Sequence, residues 1–346
     1  MGVLQVTRRE PFRVLSMPWA ARLYRYGYGG PPMGLWHRLK QGAARRTFFA
    51  LKRHGVRQHG RALYQREGGE TVWSFDANNT QFHSLFLPEF SAGYEPEVRG
   101  LIDSFLGPED AFFDVGSNWG YFSLYAASRA GFRGKVVAYE PMPGSFSDLR
   151  DLVRATGLEG MISCVNAAVS ERAGVCRMAI PDGIHSGQAR VSEEESGIRV
   201  ETRPLWDSTL PAPSFVKIDA EGHEWQVLAG ARDVIAEQRP FLVFESWLRE
   251  IEGKGFGKIF ELLRELDYGV GFAAFEGGSP GSGGYRYEVS WDEKEHARMA
   301  VIEIEDWERY FLRDQLNIFA WPRERQAQVQ AGGCGAGPKR DGISAG

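Results

Sequence analysis

Asp114, Gly116, Asn118 and Gly120 recur at every second position of FFDVGSNWGYFS (residues 112–123), where an apolar run gives way to a turn and an aromatic helix start. An acid closing a buried strand, followed by glycines that let the backbone bend and approach a ligand, is equipment for holding a small polar molecule. The helix from Trp119 adds free N–H groups. The next apolar run, KVVAYE, ends in Glu140, placed to accept hydrogen bonds from both hydroxyls of a ribose. The turn is not GxGxxG, because position 118 is Asn and position 121 is Tyr, so a pyrophosphate lacks its close approach and a nicotinamide cofactor is disfavoured. It is not GxxxxGK[ST] either, which disfavours a nucleoside triphosphate. D-x-G-x-N-x-G with an acid at the next strand end fits a nucleoside without a pyrophosphate. S-adenosylmethionine is the candidate, its amino-acid end over the glycine turn and its ribose against Glu140. Asn166, closing the third strand, is expected either to reach the adenine, with Ala167 leaving room for the ring, or to cap a turn.

FVKIDAEGHEW places Lys217, Asp219, Glu221 and His223 at the end of the fourth strand. Strand alternation puts Lys217 and Asp219 on one side, where the ammonium holds the carboxylate ionised. Acids at successive strand ends repel one another and so suggest a task. If S-adenosylmethionine is bound, its methyl group needs a nucleophile held in line, and a hydroxyl nucleophile also needs a base. Asp219 and Glu221 are candidates for orientation and His223 for the base. A second use of the same residues is Mg²⁺ binding by Asp219, Glu221 and Glu245. A third is capping, with Glu221 and Glu224 at a helix N-terminus. The reading adopted is catalytic Asp219, Glu221 and His223, without a metal. His185, in the polar stretch PDGIHSGQAR, is a further candidate for covering the site.

The elements that must position these groups alternate strand and helix from residue 111. Strands are expected at AFFDVG, KVVAYE, ISCVNAAVS, SFVKIDA, FLVFES, GVGFAAF and LNIFAWP, with helices over 119–130, 144–156, from 223 and over 255–266. VCRMAI and IRVETRPL form an antiparallel excursion. This rhythm predicts an α/β fold with a doubly wound, mostly parallel seven-stranded sheet covered on both faces. Upstream, EPEVRGLIDSFL is an amphipathic helix with Pro96 in its first turn, and ALYQ with TVWSFD forms a hairpin. Residues 34–57 read as a helix with Leu35, Leu39, Ala43 and Phe49 along one stripe. Residues 1–33 read as irregular. The expected division is a basic extension over 1–90, a catalytic domain over 91–322 and a disordered tail over 323–346.

At this point four motifs, FFDVGSNWGYFSLYAA, VVAYEPMPGSFSDLR, VNAAVSE and FVKIDAEGHEWQVLAGA, together resemble the FkbM-type methyltransferases from about Tyr94 to Trp321. The resemblance implies a class I, Rossmann-like S-adenosylmethionine-dependent fold, methyl transfer to a hydroxyl oxygen, and cofactor contacts at Asp114, Gly116, Asn118, Gly120 and Glu140. Ser117 and Trp119 depart from the Ala and small aliphatic residue expected there, and Trp119 is expected to narrow the pocket. Two alternatives carry different consequences: a nucleoside-binding module without turnover, which the second acidic cluster disfavours, and a nicotinamide enzyme, which the missing glycine disfavours.

The 346 residues carry a net charge of -4, but residues 1–66 hold 14 Lys/Arg against the single acid Glu10. Basic residues with Trp36, Phe48 and Phe49 over 34–57 suit an anionic membrane surface, or a solvated helix packed on an acidic domain. Nothing resembles an RNA-binding module. Three cysteines without a CxxC pair argue for a reducing, cytoplasmic setting, peripheral to a membrane if the basic stretch binds one, and against structural zinc. The acceptor is expected to be a small molecule or glycan, and no motif names it.

Overall fold

The computed structural model describes residues 3–28, 34–56, 58–180, 189–192, 197–248, 256–277 and 284–332. His185 lies outside them. The chain opens with β1 (Val3–Thr7), β2 (Phe12–Ser16), α1 (Trp19–Tyr28), α2 (Leu35–Arg53), β3 (His59–Arg66) and β4 (Gly69–Asp76). Then follow α3 (Pro96–Phe105), β5 (Ala111–Val115), α4 (Tyr121–Ala127), β6 (Lys135–Tyr139), α5 (Pro143–Ala155) and β7 (Ile162–Val165). An excursion contains β8 (Ala168–Val169), β9 (Gly174–Ala179), β10 (Arg190–Val191) and β11 (Ile198–Arg203). The chain returns as β12 (Phe215–Ile218), α6 (Glu224–Gly230), α7 (Arg232–Gln238), β13 (Phe241–Trp247), α8 (Phe256–Glu265) and β14 (Tyr268–Gly277). It closes with β15 (Gly284–Arg286), β16 (His296–Glu303), β17 (Gln315–Pro322) and α9 (Gln326–Ala331).

The main sheet runs β7-β6-β5-β12-β13-β17-β14-β16-β1, with β15 beside β14. From β7 to β13 every pairing is parallel, and β17 enters antiparallel between β13 and β14. The seven expected strands are all present, and β1, β15 and β16 extend them on one side to ten. Every residue of β5 and β12 is buried, which is why these strands read as apolar runs interrupted only by Asp114 and Lys217. One face packs Leu101, Phe105, Leu124 and Leu149 from α3, α4 and α5. The other packs Val227, Leu228, Ile235 and Leu263 from α6, α7 and α8. The strand order reverses between β5 and β12, so their carboxyl ends open a crevice. VCRMAI and IRVETR pair antiparallel as expected, in a separate four-stranded sheet.

The amino-terminal third departs from the sequence reading. Residues 1–33 were expected to be irregular, yet β1 joins the main sheet against β16, burying Leu4 and Val6 in the core. A five-residue strand is too short to show its period amid Arg, Gly and Pro, and its partner lies almost 300 residues away. β2, β3 and β4 form a small sheet whose Phe12 and Trp73 pack on Trp119, while Tyr64 donates its hydroxyl to the Leu124 carbonyl at 2.9 Å. In α2 the buried residues are Gln41, Ala44 and Phe48, not the expected stripe, and Leu35, Trp36 and Leu39 are exposed. The tail also orders further than expected: α9 follows β17 and buries Val329, while residues 333–346 lie outside the described set. No helix among the described residues is long and apolar enough to cross a membrane.

Candidate active site

A cavity of about 600 Å³ lies at the crevice where β5, β6, β12 and β13 end. Gly116 starts its floor. Its φ of 75° and the Asp219 carbonyl, which would stand 1.8 Å from any added Cβ, exclude every other residue. Asn118 follows in the left-handed region at φ 52°, and its N–H donates to Glu140 Oε2 at 2.9 Å. Glu140 Oε1 accepts from the Met142 N–H at 2.7 Å. One carboxylate thus ties the glycine turn to the start of α5, with lone pairs left on both oxygens. Burial pushes Glu140 up to about 7, against the pull of its two backbone donors. Asn118 Oδ1 is buried without a partner among the described residues.

Asp114 does not line this cavity. It lies fully buried beneath the floor, accepting from Ser123 Oγ at 2.7 Å; burial raises its pKa while Lys217 and Ser123 pull it down. Gly120, at φ 94°, is likewise off the cavity: an added Cβ would meet Leu149 and Leu124 at 2.6 and 2.9 Å, so it lets α4 pack against α5. Asn166 turns away. Its amide donates to the carbonyls of Glu140 and Pro141 at 2.7 and 3.1 Å, in a separate depression, and Ala167 lines the site instead. Trp119 reaches the cavity edge but sits in the aromatic cluster with Phe12, Trp73 and Phe82.

Part of the cavity lining is acidic. Lys217 Nζ lies 3.2 Å from Asp219 Oδ2, and its ammonium also stands 4.9 Å from the Phe122 ring centroid. Burial alone would push the lysine down, but Asp219, Asp114 and Glu95 around it hold it above its ordinary value. Glu221 adopts φ 51° and approaches Arg190 at 3.7 Å; burial, with Asp219 and Glu245 nearby, pushes it up to about 8. Glu245, joined to Gln315, is raised by burial and by Asp219. One oxygen from each of Asp219, Glu221 and Glu245 falls within 4.8 Å of the others, a spacing that a shared proton or a divalent cation can bridge. His223 opens α6, its Nε2 3.0 Å from Ser170 Oγ, and burial lowers its pKa. Capping of this helix falls to Glu224, whose Oε1 accepts from the N–H groups of Ala220 and Gly222 at 2.9 and 3.3 Å.

Residues 114–270 match the Methyltransferase FkbM domain. Over these residues the chain is similar to an FkbM-type methyltransferase domain. Among curated proteins it is similar to the hexuronic acid methyltransferase AglP of Haloferax volcanii, 28% identical over 147 residues, 41% of this chain. It spans only 58% of that relative's length. It is also similar to the 31-O-demethyl-FK506 methyltransferase FkbM of Streptomyces tacrolimicus, 29% identical over 234 residues, 57% of this chain and 84% of that one. Among solved structures, methyltransferase FkbM from Methylobacillus flagellatus is 18% identical, with a TM-score of 0.37 over 65% of this chain and 53% of that one.

The cavity is completed by residues that sequence reading missed. Glu95 stands at φ 40° immediately before α3, and one of its carboxylate oxygens is buried without a partner among the described residues. Burial raises it well above the carboxylate range, Lys217 pulling it down and Asp219 pushing it up. Tyr94, Gln81 and Ser84 come from the same upstream segment and line the cavity beside it. Arg190 arrives from the excursion. Among the six described non-glycine residues with positive φ, Glu95, Asn118 and Glu221 all line this one cavity, a concentration of backbone strain that marks a functional site. The available signal for Glu95 was its place before Pro96, at the mouth of a predicted helix.

Proposed function

We propose that this protein methylates a hydroxyl oxygen of a small molecule or sugar, using S-adenosylmethionine. The observation that carries the reading is a single cavity lined by both the Glu140–Asn118 turn and the Lys217–Asp219 pair. The donor set fits the cofactor. Glu140 has free lone pairs for two ribose hydroxyls, Asn118 Oδ1 is a buried acceptor without a partner among the described residues, and the acidic wall suits a positively charged sulfonium. The cofactor supplies an electrophilic methyl group. Asp219, paired with Lys217, accepts a hydrogen bond from the acceptor hydroxyl and orients it. His223, biased toward its neutral form by burial, takes the hydroxyl proton on a ring nitrogen, and Ser170 fixes the ring. Glu221 shapes the cavity between Asp219 and Arg190.

The names of the two curated relatives, a hexuronic acid and a 31-O-demethyl-FK506 methyltransferase, support oxygen-bearing acceptors. A nucleoside-binding module without turnover is less well supported, because it has no use for His223 and the acidic wall. Exposed Leu35, Trp36 and Leu39 beside Arg38 and Lys40 favour docking of α2 on an anionic membrane surface, where a lipid-linked acceptor would be met. The deciding experiment is incubation with methyl-labelled S-adenosylmethionine and a panel of sugars and hydroxylated small molecules. Label is expected in an alkali-stable ether on the product. Absence of S-adenosylmethionine binding by calorimetry would refute the reading.

A further inference from the structure

A second cavity, about 1170 Å³, lies beyond the candidate active site, between β2, α1 and the segment from Ser84 to Tyr94. Its lining includes Arg8, Arg13, Arg22 and Arg25. Arg8 is engaged, 3.3 Å from Glu295 and donating to the Ser91 carbonyl at 2.7 Å. Arg13, Arg22 and Arg25 are exposed and form no ion pair among the described residues. Arg22 and Arg25 stand three residues apart on α1, so they share one face. The acid lining this groove, Glu10, is already held by Arg99 at 2.9 Å and by the Tyr121 hydroxyl. The groove therefore presents net positive charge over an apolar floor that includes Phe12 and Phe90.

Ser84, Tyr94 and Tyr121 line both cavities, so the two share a wall. A molecule in the arginine groove lies against three side chains that also line the candidate active site. The arginines of this groove all precede the matched FkbM domain, which contributes Tyr121 to the lining. We propose that the groove is the acceptor site, and that the acceptor is an anion. Its carboxylate or phosphate is received by Arg13, Arg22 and Arg25, and its hydroxyl reaches the cofactor cavity past Ser84, Tyr94 and Tyr121. Guanidinium forks match both anions in geometry, and their exposure lets a ligand enter without breaking an existing pair. This rests on the methyl-transfer reading for the role of the groove, but not for its capture of anions.

The test uses the full chain and three probes: trigalacturonate for carboxylate, inorganic pyrophosphate for phosphate, and neutral maltotriose. Each is titrated calorimetrically into wild type and into the triple variant Arg13→Gln, Arg22→Gln, Arg25→Gln, with S-adenosylhomocysteine present. At least one anion is expected to bind wild type, to weaken about tenfold or more in the variant, and to weaken with added salt. Which anion binds names the acceptor's charged group. Binding of neither anion, equal affinity in the variant, or equally tight binding of maltotriose would overturn the proposal. S-adenosylhomocysteine titrated alone is the separate arm. Its failure to bind wild type would sink the methyl-transfer reading, whatever the anions do, and its affinity is expected to be equal in the triple variant.

Discussion

Replacing Glu140 by Gln separates the ribose-holding role from a merely structural one. The carboxylate accepts from the N–H groups of Asn118 and Met142. An amide keeps one acceptor and turns an NH₂ toward the other donor. Losing one charge-assisted bond costs about 1.5–3 kcal/mol. Against that, the neutral amide escapes the burial that raises the acid from 4.5 to about 7, which is worth about 3 kcal/mol above pH 7. The two terms nearly cancel, so folding stability is expected to change by no more than about 2 kcal/mol. Alanine is a poorer probe, because it leaves both buried N–H groups without this acceptor. Cofactor affinity has no such cancellation. The variant offers the ribose hydroxyls a neutral, half-donor group, and affinity should fall about 10- to 100-fold. The assay is calorimetry with S-adenosylhomocysteine at pH 8, beside a urea melt to confirm the fold. Ionised Glu140 is the better acceptor, so wild-type affinity should rise as pH passes upward through about 7, and the Gln variant should not follow. A folded variant that binds within about threefold of wild type would refute the assignment of Glu140 to the ribose.

Gly116→Ala should destabilise by about 2–4 kcal/mol in a denaturant melt, since its Cβ would stand 1.8 Å from the Asp219 carbonyl. Asp219→Asn should lower turnover about 100-fold with cofactor affinity little changed, and His223→Ala should remove the acidic limb of the pH–rate profile; wild-type rates in both would exclude catalytic roles here. Glu221 has its folded pKa raised to about 8, so its stability contribution is full below the unfolded value near 4.5 and is lost as pH rises through about 8. The ligand-free protein should therefore melt progressively lower from pH 5 to 9, and Glu221→Gln should flatten that slope in thermal scans. Trp36→Ala with Arg38→Gln should reduce sedimentation with anionic liposomes while leaving the core intact, because both side chains are exposed; unchanged sedimentation would remove the membrane reading.

The sequence by itself determined the doubly wound sheet and the ends of its strands. β5 and β12 are buried on both faces, and burial on both faces writes a near-continuous apolar run, broken here only by Asp114 and Lys217, that needs no distant partner to be recognised. The glycine turn was legible for a related reason: residues such as Gly116 must take a backbone conformation that few side chains tolerate, and this constraint is local. The facing of Lys217 and Asp219 followed from strand alternation alone, and their 3.2 Å pairing agrees with it. Tertiary structure decided the rest. Asp114 and Gly120 carry the expected spacing but lie under the cavity and between helices, because spacing along a chain does not say which side of a turn faces out. Asn166 was spent on the Glu140 and Pro141 carbonyls, whose position depends on a neighbouring strand. Glu95 and Tyr94 reach the acidic wall from upstream of the matched domain, and β1 crosses to β16. Such contacts join segments far apart in the chain, and a short strand or a single side chain at that distance leaves no periodic trace in the residues around it.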